Sequence, residues 1–195
     1  MKEINSSSPI SKRKLQGSFT VEFAIIAVVF SLMLAFTGDI VSKLSMRGKL
    51  DRLSFSAVGL LKERTQLYDS VDELNQEDVD KVHQLIKHSL RRTTASFDEQ
   101  RLSAYVEEQL YNGTTPLPVR FYVPGTVAGQ TAVATCLPSQ SLDQRQQQLG
   151  VVTSWGRNAR LYRVTLCYET GSWFGDLTGS DQYRYVASTA VIVGR

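Results

Sequence analysis

The chain is short of the side chains that enzymes use. Its two histidines, His83 and His88, stand five apart on an expected helix, which puts them on different faces. Zinc-binding helices instead hold a pair at i, i+4. The two cysteines, Cys136 and Cys167, form no CxxC, so the common zinc and thioredoxin-like spacings are excluded. Residues 125–130 lack the Gly-Lys-Ser/Thr ending of a phosphate loop, and residues 171–175 have neither nucleophile-elbow spacing nor a following histidine. The acid pairs Asp72-Glu73 and Glu107-Glu108 read as solvated helix or loop positions. Trp155 and Trp173, isolated near turns, read as core or interface anchors. This inventory implies no enzyme, no cofactor, no metal and no small-molecule substrate.

Charge of one sign is also scarce. The 22 basic and 19 acidic residues leave a formal charge of +3, and beyond Lys12-Arg13-Lys14 and Arg91-Arg92 the signs are interspersed. Nucleic-acid recognition wants a basic face with interleaved aromatics, and none is present, so no nucleic-acid partner is expected.

What is present begins with the basic cluster and the run behind it. Residues 19–38 are apolar apart from Thr20, Glu22, Ser31 and Thr37. Twenty helical residues span about 30 Å, the thickness of a bilayer core. From 23 to 36 every face is apolar, whereas a surface helix would show a polar stripe. A membrane span is therefore expected. Lys12, Arg13 and Lys14 just ahead of it favour a cytoplasmic N-terminus and an exported remainder. Ala35 and Thr37 make only a poor small-x-small site for an ordinary signal peptidase, so the helix should be retained.

Beyond Gly38, Ile40, Val41, Leu44, Leu50, Leu53, Phe55, Val58, Leu60, Leu61 and Leu67 recur at three- and four-residue spacing among charges. That pattern continues the helix as an amphipathic one, with a bend or break allowed at Gly48 or Gly59. Unbroken from 18 to 68, it would reach about 75 Å. A capped helix is expected after Asn75, with Val79, Val82, Leu85, Ile86 and Leu90 inside. Another is expected from Ser96, with Leu102, Tyr105, Val106 and Leu110 inside and Asn112-Gly113 as its stop. Alternation then predicts strands around 116–124, 131–136, 161–169 and 183–193, with residues 139–150 as a loop or short helix. The fold class is α+β: a long N-terminal transmembrane and amphipathic helix, then a head of two helices and a mostly antiparallel sheet. Cys136 and Cys167 fall in strand-like runs, as buried thiols in a reducing compartment or as a disulfide outside it.

The segment around Gly17-Ser18-Phe19-Thr20-Val21-Glu22-Phe23 resembles a type IV prepilin leader. In that family a prepilin peptidase cuts after the leader glycine, and a glutamate is the fifth mature residue. The resemblance makes Gly17 the last leader residue, Ser18 the first mature one and Glu22 the fifth. The tight-adherence (Flp/Tad) branch favours Glu-Tyr, and Phe23 here keeps the ring without the hydroxyl. Ser18 stands where many type IV pilins begin with Phe. Length, single helix and two-cysteine β-rich head resemble the TadE/TadF pseudopilins, TadF more than TadE.

The resemblance implies a leader over 1–17, a helix over 18–68 with its membrane part at about 19–38, and a periplasmic head over 69–195. It implies a single-pass bacterial inner-membrane protein serving pilus assembly, adherence and biofilm formation. Its partners would be the membrane, the prepilin peptidase and other pseudopilins and assembly proteins. A periplasmic head would join Cys136 to Cys167, which on a chain-entropy basis stabilises by about 3–4 kcal/mol. A cut after Gly17 leaves an ammonium on Ser18 one helical turn from Glu22. Pairing within the chain or with an axially shifted neighbour would offset the cost of charge near lipid, about 2.5–3.5 kcal/mol at the bilayer centre and less at its edge. The alternative is an uncleaved signal-anchored periplasmic scaffold or binding protein, with Glu22 snorkelling at the membrane edge.

Overall fold

The structure, a computed structural model, describes residues 15–64, 74–124, 136–138, 140–171 and 184–194. The acids at Asp72-Glu73, the glycine-bearing stretch 125–130, the strand expected before Cys136, and Trp173 lie outside those residues.

Helix α1 runs Leu15–Lys62 without a proline and passes Gly48 and Gly59 unbroken. At 1.5 Å per residue it is about 72 Å long. Each interior glycine costs about 1 kcal/mol relative to alanine. Burial on the helix's other side offsets this: Met46, Leu50, Ala57, Val58 and Leu61 all enter the core. Helix α2, Gln76–Thr93, starts where Asn75 accepts the Asp78 N–H at 2.8 Å, with Glu77 and Asp78 in its first turn. Val79, Val82, Ile86 and Leu90 are buried, while Leu85, expected inside, is exposed.

The helix expected after Ser96 is not there. Asp98 caps only a 3-10 turn, Glu99–Arg101, and the chain then enters strand β1, Leu102–Gln109. The spacing 102, 106, 110 suits one helical face, but the same residues also sit on one side of a strand of period two. Pairing decided the outcome, because β1 is flanked on both sides. Asn112-Gly113 likewise ends no helix. It turns a hairpin between β2, Tyr111–Asn112, and β3, Thr115–Pro116, with Gly113 at φ 65°.

Strand β4 is Arg120–Tyr122, helix α3 is Leu142–Leu149, and strands β5 and β6 are Leu161–Glu169 and Tyr185–Val193. The main sheet has the order β4-β1-β5-β6 and every pairing is antiparallel. Register places Leu102, Ala104 and Val106 beside Tyr168, Leu166 and Val164, and α1 and α2 cover that face. On the far face lie Ser103, Tyr105 and Glu107 with their partners Cys167, Thr165 and Arg163. Cys136 and the start of α3 cover that side, with Leu142 fully buried. Strand β5 is thus buried on both faces from Leu161 to Tyr168, not on one face as its alternation suggested.

Truncating Leu50 to alanine should cost about 2–5 kcal/mol, because the sheet cannot collapse onto the gap. Phe55→Ala, on the outward face with 65 % of its surface exposed, should stay within about 0.5 kcal/mol. Denaturant unfolding of the detergent-solubilised protein measures both. Equal losses would place the core on the wrong face of α1.

Candidate functional site

Among the described residues, the upper half of α1 packs against no other element. From Phe19 to Phe36 its large apolar residues, among them Phe23, Ile26, Phe30 and Met33, are exposed on every side. It is the helix, among the described residues, long and apolar enough to cross a membrane. Two of its hydroxyls are satisfied within the helix: Ser31 donates to the Val28 carbonyl and Thr37 to the Met33 carbonyl, both at 2.8 Å. A helix in hydrocarbon needs that, since lipid offers no partner. The apolar run ends at the pair Asp39–Lys43, 2.8 Å apart. Gly17 and Ser18 lie in the first turn of α1, and Glu22 and Phe23 follow on the same helix with their side chains exposed. Glu22 is the one charged residue between Lys14 and Asp39.

The lower half of α1 is bolted into the head by polar contacts as well as by its apolar stripe. Ser54 and Ser188 share a hydrogen bond at 2.9 Å between α1 and β6. Lys49 reaches the end of α2, donating to the Thr93 carbonyl at 2.8 Å and the Thr94 hydroxyl at 3.0 Å. A cation there complements the negative end of the helix dipole. Just past α1, buried Arg64 donates to the Leu61 carbonyl at 2.9 Å and the Tyr162 hydroxyl at 3.0 Å. It stands 3.9 Å from both Asp78 and Glu108, joining the helix end to α2 and β1. Burial pushes the Glu108 carboxyl upward, while Arg64 and the Leu74 backbone N–H pull it back.

A second charge pair lies on the far face, where Arg163 binds Glu107 through two nitrogens. Arg163 also donates to the Gln140 carbonyl at 2.6 Å, and Glu107 accepts the Leu142 N–H at 3.4 Å. Burial drives the Glu107 carboxyl upward, against the opposing field and hydrogen bond of Arg163. Both acids were expected in solvent, yet they are 1 % and 0 % exposed. The segment from Gln140 to Leu142 is thereby pinned to the sheet. Nearby, Cys136 and Cys167 form a disulfide with Cα atoms 5.6 Å apart.

Gly17, Ser18, Glu22 and Phe23 on the one hand and the disulfide on the other thus lie on different parts of the molecule: the first on the bare end of α1, the second on the sheet face turned away from that helix. The sequence assigns no site role to Arg64, Asp78 or Arg163, and it reads Glu107-Glu108 as solvated where the structure buries both. The one available signal was Glu107-Glu108 directly after Tyr105-Val106, charges inside an apolar strand-compatible run.

A helix bare and apolar on all sides for a bilayer's thickness, continuing as the inner helix of a small α+β head, defines a single-pass, pilin-like membrane protein. The chain belongs to the TadF family, described as "Putative tight adherence pilin protein F", which matches residues 11–195. No curated protein and no solved structure matches it.

Two outcomes follow from the buried polar groups. Arg64→Met should destabilise by about 3–5 kcal/mol by leaving two buried acids without their cation, and adding Glu108→Leu should recover part of the loss. Unfolding of the two variants tests it, and an additive double variant would contradict the coupling. His83 is the second case: burial and Lys87 lower its pKa to about 4 from 6.5, with Asp80 opposing. The unfolded state then binds more protons between those values. Its contribution is therefore full above pH 6.5 and is lost as pH falls toward 4, by up to about 3 kcal/mol. Comparing stability against pH for the parent and His83→Gln should show that difference confined to this window. Parallel curves would rule it out.

Proposed function

We propose that this chain is a pseudopilin or minor pilin-like component of the tight-adherence pilus system, cut between Gly17 and Ser18 by a prepilin peptidase. The observation that carries this reading is the bare apolar helix with a single carboxylate, Glu22, five residues after Gly17. Membership of the TadF family supports it. In this reading residues 1–17 are a cytoplasmic leader, 18–68 the anchoring helix and 69–195 a periplasmic head. The inner membrane, other pseudopilins and assembly proteins are its partners, and pilus biogenesis, adherence and biofilm formation are what it serves. The role is structural. Glu22 receives the Ser18 ammonium of its own chain or of a neighbour and so sets register during assembly, while Phe23 belongs to the peptidase's recognition motif.

One observation favours a second reading. Leu15, Gln16 and Gly17 already belong to α1, so a peptidase that reads extended backbone must first unwind that turn. An uncleaved, signal-anchored periplasmic scaffold avoids this step.

Mass spectrometry of the membrane-extracted protein separates the two. A chain beginning at Ser18, and lost when the prepilin peptidase is deleted, is the expected result. Retention of residues 1–17 in a host that has the peptidase favours the scaffold. Glu22→Ala should still be cut but should lower recovery of the protein with its pilus partners. Undiminished co-purification would remove the register role.

A further inference from the structure

The head carries a cleft that neither the membrane helix nor the disulfide explains. It forms where the β2–β3 hairpin meets a turn closed by the Val152–Asn158 bridge. Asn158 ties the two turns together: its backbone N–H donates to the Gly113 carbonyl at 2.9 Å and its Nδ2 to the Thr114 carbonyl at 3.1 Å. Within the second turn the Thr153 N–H donates to the Arg157 carbonyl at 2.8 Å and the Gly156 N–H to the Thr153 carbonyl at 3.0 Å. Gly156 takes φ 68°, which glycine adopts without strain. The frame is therefore fixed before any ligand arrives. Its volume of about 760 Å³ lies within the range of small-ligand sites, roughly 300–1,000 Å³.

Trp155 stands at the tip of that turn with 87 % of its surface in water. A tryptophan held so far out gives up burial it would gain in a core, and it presents a flat, electron-rich face that attracts polarised C–H groups. Arg157 lines the same cleft, and its guanidinium makes no hydrogen bond or ion pair among the described residues. Among the described residues no acid lines the cleft, while Asn112, Thr153 and Asn158 supply neutral donors and acceptors. The Tyr111 hydroxyl at its wall is buried with no hydrogen-bond partner among the described residues.

We propose that this cleft binds an acidic saccharide, with one hexopyranose stacked on Trp155 and its carboxylate on Arg157. The ring's C–H face suits the indole, the guanidinium fork suits a carboxylate, and the amides suit hydroxyls. An acidic peptide brings the carboxylate but no rigid saturated ring. The exposed Val151 and Val152 that its apolar side chains would use lie outside the cleft. Two sources share the chemistry: muramic acid rings of cell-wall glycan stripped of its stem peptides, whose lactyl carboxylate is then free, and uronic acid rings of surface polysaccharide. The proposal is independent of cleavage at Gly17.

Calorimetric titration of the full chain in detergent micelles tests it. The probes are the disaccharide of N-acetylglucosamine and N-acetylmuramic acid, trigalacturonate, neutral maltotriose and tetraglutamate. At least one acidic saccharide should bind, and the stronger of the two names the source. Trp155→Ala and Arg157→Gln, both surface changes, should each weaken that binding by roughly tenfold or more. Maltotriose should bind at least about tenfold more weakly, having no group for the guanidinium. Failure of both acidic saccharides, equal binding of tetraglutamate, or binding unchanged by Trp155→Ala overturns the proposal.

Discussion

One helix has to satisfy two solvents, and the rest of the fold follows from how it does so. In lipid it gains nothing by hiding any face, so its upper half is apolar all round and two of its hydroxyls bond back to its own carbonyls. From Asp39 onward charges recur along the helix, and an apolar stripe left in water there would work against folding. The stripe from Met46 to Leu61 is therefore buried against β5 and β6, and the sheet is the surface that receives it. The anchor and the head core are consequently one continuous helix rather than two parts joined by a linker.

Covering both faces of a four-stranded sheet in so small a head forces charges inside. On the helix-covered face Arg64 faces two acids from α2 and β1; on the other, Arg163 faces Glu107 and the Gln140 carbonyl. Buried ion pairs of this kind contribute little net stability against apolar replacements, because each charge loses its hydration. What they supply here is position. Arg64 fixes the end of α1 against α2, β1 and β5, and Arg163 together with the Cys136–Cys167 bridge holds Cys136, Gln140 and Leu142 against the sheet.

Much of this was legible in the sequence, for identifiable reasons. The membrane span, the Asn75 cap, β5 and β6 each carry a strong local signal: a uniform apolar run, a side-chain acceptor ahead of acids, and long alternation. Leu102, Val106 and Leu110 fit both periods, so the sequence predicts a helix where β1 lies, and only its two neighbours resolve the ambiguity. The burial of Glu107 and Glu108 was missed for the same reason, since acids on a supposed helix default to solvent. Nothing local announces Arg64, whose side-chain partners lie in α2, β1 and β5. Trp155, read as a core or interface anchor, is no part of the core: it stands in water on a turn closed by its own backbone hydrogen bonds. The Gly17–Glu22 spacing, by contrast, is visible only in sequence: it is a recognition pattern, and folding neither requires nor reveals it.

The continuity of α1 from membrane into head core is the claim on which the rest depends. Hydrogen–deuterium exchange of the full chain in detergent micelles tests it most directly. Amides from Met46 to Leu61 should exchange only with global unfolding, at the same slow rate as those of β5. Rapid exchange across that stretch while β5 stays protected would show a hinge between anchor and head and would contradict it.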